Sequence, residues 1–148
     1  MLKRIIYILI TIAIAAFFIW RYFIYFDWPA RCFIRIQPSL LEFSNLTMQK
    51  AIRILKNASP SDYRDLCQYV NVINPNLSCG GFQGGCYSAY KQNPRTIDVS
   101  TSNRSLQWTV GIIVHETCHA KQFQQNRDFS ETECYDEDSR VIKTITEF

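Results

Sequence analysis

The sequence predicts a small α+β domain preceded by one transmembrane helix. Three observations carry that expectation: an apolar run near the N-terminus, helical spacing of apolar residues in four later segments, and two short β-like stretches among them. With 148 residues, 47% hydrophobic and 20% charged, the chain suits one domain plus an appendage and is too apolar for disorder. The formal charge of +3 matches Lys3, Arg4 and Arg21, which precede Asp27; from Asp27 onward 13 basic residues face 13 acidic ones. A balanced domain without a basic stripe argues against a nucleic-acid partner.

The first element is residues 1–26. Apart from Tyr7 and Thr11, the run from Ile5 to Trp20 is apolar, and Tyr22 to Phe26 extends it past Arg21. As one helix, Ile5 to Phe26 is about 33 Å long, enough for a bilayer core of about 30 Å. Arg21 near its far end can snorkel to water, and Trp20, Tyr22, Tyr25 and Trp28 fit an interfacial aromatic belt. A cleaved signal peptide would need Ala13-Ile14-Ala15 as its processing site, but apolar character continues well beyond Ala15. An uncleaved signal anchor is therefore the preferred reading, and the lack of a polar face disfavours a buried core helix.

Residues 27–43 read as a linker, with Pro29 and Pro38 blocking regular helix. The domain proper is then 44–148. Met48, Ala51, Ile52 and Leu55 recur at helical spacing to about Asn57. Ser59-Pro60-Ser61-Asp62 is a helix start, followed by an apolar face of Tyr63, Leu66, Cys67 and Val70 that Asn74-Pro75 ends. The Gly-rich 79–86 segment reads as turns, and 86–90 and 96–100 as short strands. Capped by Thr101-Ser102-Asn103, a helix spans about 105–125; after a polar break at 126–130 a last helix spans 131–146.

The 105–125 helix contains His115-Glu116-Thr117-Cys118-His119. Residues four apart on a helix share a face, so both imidazoles can reach one metal ion. Catalytic zinc keeps an open position for water and lowers that water's pKa to about 7, where a carboxylate such as Glu116 can take the proton. These are the chain's two histidines, so a third ligand comes from another residue type. The last helix offers Glu131, Glu133, Asp136, Glu137 and Asp138. Glu131 sits at the edge of the face carrying Cys134 and is the first choice, with Glu133 in reserve. Asp136 to Asp138 read as a solvated acidic face.

From about Thr96 to Ile145, the His115-Glu116-x-x-His119 motif followed by Glu131-Thr132-Glu133-Cys134 resembles a small gluzincin metallopeptidase. That resemblance implies a zincin-like domain, an edge strand along the cleft, zinc on His115, His119 and Glu131, and Glu116 as general base and then acid. A small residue three places after the glutamate ligand, here Cys134, again favours Glu131. The thermolysin-type Glu-x-x-x-Asp pattern is absent because position 135 is Tyr, which leaves Asp138 or a backbone carbonyl to orient a ligand histidine. An oxyanion donor would be Tyr, Arg, backbone or the metal itself, with Tyr135, Tyr87 and Tyr90 as candidates.

Six cysteines follow the apolar segment, the usage of a disulfide framework in an oxidising compartment. The expected pairs are Cys118–Cys134, clamping the two ligand helices, Cys79–Cys86 by proximity, and Cys32–Cys67 by remainder. The chain is thus expected to be a single-pass membrane zinc metallopeptidase with its domain on the periplasmic, extracellular or lumenal side. Its substrate would be a peptide or protein, held by β-addition to the 96–100 strand. The alternative is a zincin-derived, membrane-tethered binding or inhibitory module without turnover.

Overall fold

The computed structural model describes residues 2–38, 45–75, 84–89, 93–100 and 105–147. Among the described residues five helices, α1 (Leu2–Phe23), α2 (Asn45–Ala58), α3 (Pro60–Tyr69), α4 (Leu106–Gln124) and α5 (Glu131–Thr146), accompany one mixed sheet. Its strands are β1 (Ile24–Asp27), β2 (Cys32–Ile36), β3 (Val72–Pro75), β4 (Gly85–Tyr87) and β5 (Thr96–Val99), in spatial order β1-β2-β3-β5-β4. The two outer pairings are antiparallel and the two inner ones parallel.

The helix α1 is long and apolar enough to cross a membrane, and its residues from Lys3 to Trp20 are exposed along their whole length. It stops at Phe23, short of the expected Phe26. Ile24, Tyr25 and Phe26 are β-branched or aromatic and favour the pleated edge of a sheet over a further helical turn. Tyr25 consequently leaves the expected aromatic belt. It is buried, and its hydroxyl lies 3.1 Å from that of Tyr63.

Residues 27–43 are not simply a linker, because β2 lies among them. Cys32, Ile34 and Ile36 point inward while Phe33 and Arg35 point out, the strict alternation of a half-buried strand. The prolines flank this strand without interrupting it. Pro29 falls in the turn closed by the Arg31 amide donating to the Trp28 carbonyl (3.0 Å), and Pro38 follows the strand. Arg31 adopts a left-handed φ of 50° to complete that hairpin.

β3 was also hidden in the sequence. Only Val72 and Ile73 carry a strand signal, and Asn74-Pro75 resembles a stop. The strand is held from both sides, by β2 and by β5. β5 is therefore interior, and the edge beside α4 is β4.

α2, α3 and α4 cover the sheet. Ile34, Ile36, Ile52, Leu55, Leu66, Ile73, Ile97, Val99 and Ile113 are fully buried in one core. Burial of such side chains stabilises by about 1.5–3 kcal/mol each relative to exposure. The Cys32–Cys67 disulfide ties β2 to α3, as expected, and Cys118–Cys134 ties α4 to α5. The expected Cys79–Cys86 pairing lies outside the described residues because Cys79 does. Cross-helix ion pairs add Lys121–Asp65 at 2.7 Å and Arg140–Asp62 at 2.8 Å, anchoring α4 and α5 to α3.

Candidate metal centre

Local sequence chemistry places α4 and α5. The Ser105 hydroxyl accepts from the Trp108 amide (3.3 Å) and starts α4. At the other end Asn126 takes a left-handed φ of 53°. Its amide donates to the Phe123 carbonyl (3.0 Å) and that of Arg127 to Gln122 (2.9 Å), a Schellman closure built on asparagine. The chain reverses, and Ser130 accepts from the Glu133 amide (3.3 Å) to start α5. Glu131, the first residue of α5, is thereby carried back over α4.

The result is a three-donor cluster. His115 Nε2 and His119 Nε2 are 3.2 Å apart, and the Glu131 oxygens lie 3.2 Å from the first and 3.4 Å from the second. Donors held at about 2.0–2.1 Å by a tetrahedral zinc stand about 3.4 Å from one another. Both histidines are largely buried, whereas the Glu131 side chain is 66% exposed and leaves one side open to solvent.

The remaining ring nitrogens are held. His115 Nδ1 lies 3.0 Å from Asp138 Oδ2, and His119 Nδ1 lies 3.2 Å from Gln122 Oε1. With a proton on each Nδ1, these acceptors fix the tautomer that turns both Nε2 lone pairs toward the Glu131 carboxylate. Three electron-rich donors so arranged fit a divalent cation. Asp138, read in the sequence both as part of a solvated acidic face and as a candidate to orient a histidine, takes the second place. Only 15% of its side chain is exposed. Burial opposes a charge on His115, but the Asp138 hydrogen bond and the nearby Glu116, Asp138 and Glu131 carboxylates outweigh it and raise its pKa.

Glu133, the reserve ligand, is engaged elsewhere. It accepts from Arg127 Nη2 (2.6 Å) and Gln122 Nε2 (3.1 Å). Gln122 itself, fully buried, joins the end of α4 to Ser130 and Glu133. Sequence reasoning passed over this glutamine because a lone Gln on a helix has no distinguishing pattern. A second group of possible donors, Cys118, Glu133 and Glu137, is spoiled by the disulfide that occupies the Cys118 sulfur.

Glu116 lies outside the donor trio and is 4% exposed. Burial pushes its pKa up to about 7; His115 opposes that rise, Glu131 and Asp98 add to it, and a backbone hydrogen bond from Tyr87 works against it. A carboxyl of that kind exchanges a proton near neutral pH, as a general base or acid requires. Gly85 of β4 makes this approach possible. A Cβ there would stand 2.8 Å from Glu116 Cγ, 2.8 Å from the Asp98 carbonyl oxygen and 2.5 Å from Ile112 Cγ2. The sequence had read Gly85 merely as part of a turn-rich stretch.

An open cleft follows the β4 edge. One cavity of about 330 Å³ contains the three donors with Glu116, Tyr87 and Phe129. Another, of about 400 Å³, lies beyond Glu116 and is floored by Gly111, Ile112 and Ile142. Tyr135 lines both, its ring centroid 4.6 Å from that of His115. Tyr87 is instead committed to packing: its hydroxyl donates to the Pro94 carbonyl (2.9 Å) and its ring lies against Phe123 and Phe129. Tyr90 lies outside the described residues. β5, the expected substrate strand, has both edges paired, which leaves β4 as the strand beside the cleft.

Comparison of the chain with protein-family models, with curated proteins and with solved structures finds no match, so its own residues and geometry carry the functional reading.

Proposed function

We propose that this chain is a zinc metallopeptidase anchored in a membrane by α1, with its domain on the extracytoplasmic side. The observation that carries the reading is the convergence of His115, His119 and Glu131 at 3.2–3.4 Å beside a buried Glu116. Zinc, when bound, supplies Lewis acidity to water and to a substrate carbonyl. His115, His119 and Glu131 hold it, while Asp138 and Gln122 keep both imidazoles in the ligating tautomer. Glu116 receives the proton of the attacking water and returns it to the departing amine. The edge strand β4 supports an extended peptide by strand addition, and the apolar cavity at Ile112 and Ile142 takes a hydrophobic side chain beside the scissile bond. Tyr135, which lines both cavities, is the candidate phenol for a developing oxyanion.

The extracytoplasmic placement is supported by the disulfides Cys32–Cys67 and Cys118–Cys134, which persist in oxidising compartments. The deciding experiment combines a zinc assay with digestion of a mixed peptide library. One zinc per chain is expected, with chelator-sensitive cleavage that Glu116→Gln abolishes. Zinc without cleavage would identify a non-catalytic binding module, and a metal-free folded domain would end both readings.

A further inference from the structure

We propose that the β1–β2 hairpin is a second membrane contact, its outward face lying in the interface of an anionic bilayer beside the end of α1. The inference rests on the proposed anchoring by α1 and adds to it a fixed pose for the folded domain.

Phe26 and Phe33 are cross-strand partners on the outward face of the hairpin, their ring centroids 6.4 Å apart. The Phe26 ring also meets Trp28 (5.9 Å) and Trp20 of α1 (6.3 Å). All four rings are between 39% and 77% exposed, so the apolar surface of the helix continues without a gap onto the sheet. Contiguous exposed aromatics of this kind mark an interaction surface, and Trp and Phe suit the headgroup level of a bilayer.

The junction between helix and hairpin is fastened. No loop separates Phe23 from Ile24. Gln49 Nε2 donates to the carbonyls of Arg21 (2.8 Å) and Tyr22 (3.0 Å), so α2 caps the end of α1. Wherever that end emerges from the bilayer, the hairpin emerges beside it.

Charge selects the bilayer. At the hairpin end of α1, from Arg21 to Pro38, three basic residues, Arg21, Arg31 and Arg35, stand against one acid, Asp27. Asp27 is buried and bonded to Lys56 and Tyr63, so it projects no repulsion outward. Arg31 and Arg35 are exposed on the hairpin, flanking the rings, as anionic headgroups would require. β1 is the sheet edge opposite β4, so contact there leaves the cleft edge unobstructed.

The test uses the full chain in vesicles of phosphatidylcholine and phosphatidylglycerol whose acyl chains are brominated close to the headgroup. Trp20, Trp28 and Trp108 are the chain's three tryptophans, and single-tryptophan forms are made by Trp→Phe at the other two. The proposal expects Trp20 and Trp28 emission to be lost to bromine quenching, Trp108 emission to persist, and Trp28 quenching to deepen as phosphatidylglycerol is added. Quenching of Trp20 with Trp28 unaffected would overturn the hairpin contact while leaving the anchor, and would turn the aromatic face over to a protein partner. Failure to quench either residue would overturn the anchor reading and this proposal with it. Quenching of Trp28 that ignores phosphatidylglycerol would overturn the anionic preference. In Phe26→Ser/Phe33→Ser, Trp28 quenching is expected to fall with Trp20 quenching retained; unchanged Trp28 quenching there would overturn the role of the rings.

Discussion

Asp138 on α5 reaches across to His115 on α4, its Oδ2 3.0 Å from the imidazole Nδ1. The contact orients the ring and raises the basicity of the nitrogen that faces Glu131 and His119. Carboxylates in this position typically contribute about 10–100-fold to metal affinity. Asp138→Ala is accordingly expected to weaken zinc binding by about that factor without unfolding the domain. Competition titration against a chromophoric chelator checks it, and unchanged affinity would show that the carboxylate does not support the ligand.

Gly85 permits β4 to lie against Glu116, and its missing Cβ is occupied space. In Gly85→Ala the new methyl would meet the Asp98 carbonyl oxygen at 2.8 Å as well as two side chains, Ile112 and Glu116. Backbone cannot swing aside as a side-chain tip does, so strain of about 1–3 kcal/mol is expected. A lower urea midpoint measures the stability loss. Activity falling further than the folded fraction would show that Glu116 has been displaced.

The Cys118–Cys134 disulfide closes a sequence separation of 16 residues and spans the two helices that carry the donors. Replacing both cysteines by serine is expected to destabilise the domain by about 2–5 kcal/mol. Because α5 delivers Glu131, the same variant should bind zinc more weakly at a temperature where it remains folded. Denaturation and zinc titration of one preparation separate the two effects.

How much of this was legible in the sequence depended on whether the signal was local. The HExxH spacing and the start of α5 at Glu131 follow from periodicity and caps written in consecutive residues, whereas the pairing of Cys118 with Cys134 was one choice among several connectivities. That Glu131 rather than Glu133 approaches the two histidines was accessible too, since only the former lies at the edge of the Cys134 face. The misses were set by tertiary context. Val72-Ile73 became strand because β2 and β5 flank it, and Tyr25 turned inward because Tyr63 and the core were there to receive it. Asp138 reads both as part of a solvated stripe and as a candidate to orient a histidine, and the packing of α5 on α4 selects the second. Gln122 and Gly85 carry no one-dimensional signature, because their roles consist of what they touch.

Away from the candidate metal centre, an ionic knot around the buried Asp27 joins β1 to α2 and α3, and its pH signature can be worked out. Asp27 Oδ2 receives Lys56 Nζ at 2.6 Å and the Tyr63 hydroxyl at 2.6 Å. The Lys56 contact, then that of Tyr63, hold the Asp27 carboxyl below its ordinary range, although burial works in the opposite direction. The unfolded chain binds the proton more readily, with a carboxyl pKa of about 3.9. Asp27 therefore contributes its full stability above that value and loses it as pH falls through the lower folded pKa. Lys56 has the converse shift, raised chiefly by its hydrogen bond to Asp27. Its contribution is complete below an unfolded pKa of about 10.4 and is lost as pH rises through the folded value. Comparing the urea midpoints of the parent chain and Asp27→Asn across pH checks both limbs. The gap should be widest between them, narrowing below about pH 4 and again above about pH 10. A gap constant across that range would mean that Asp27 acts through shape and hydrogen bonding, with its charge irrelevant to the fold.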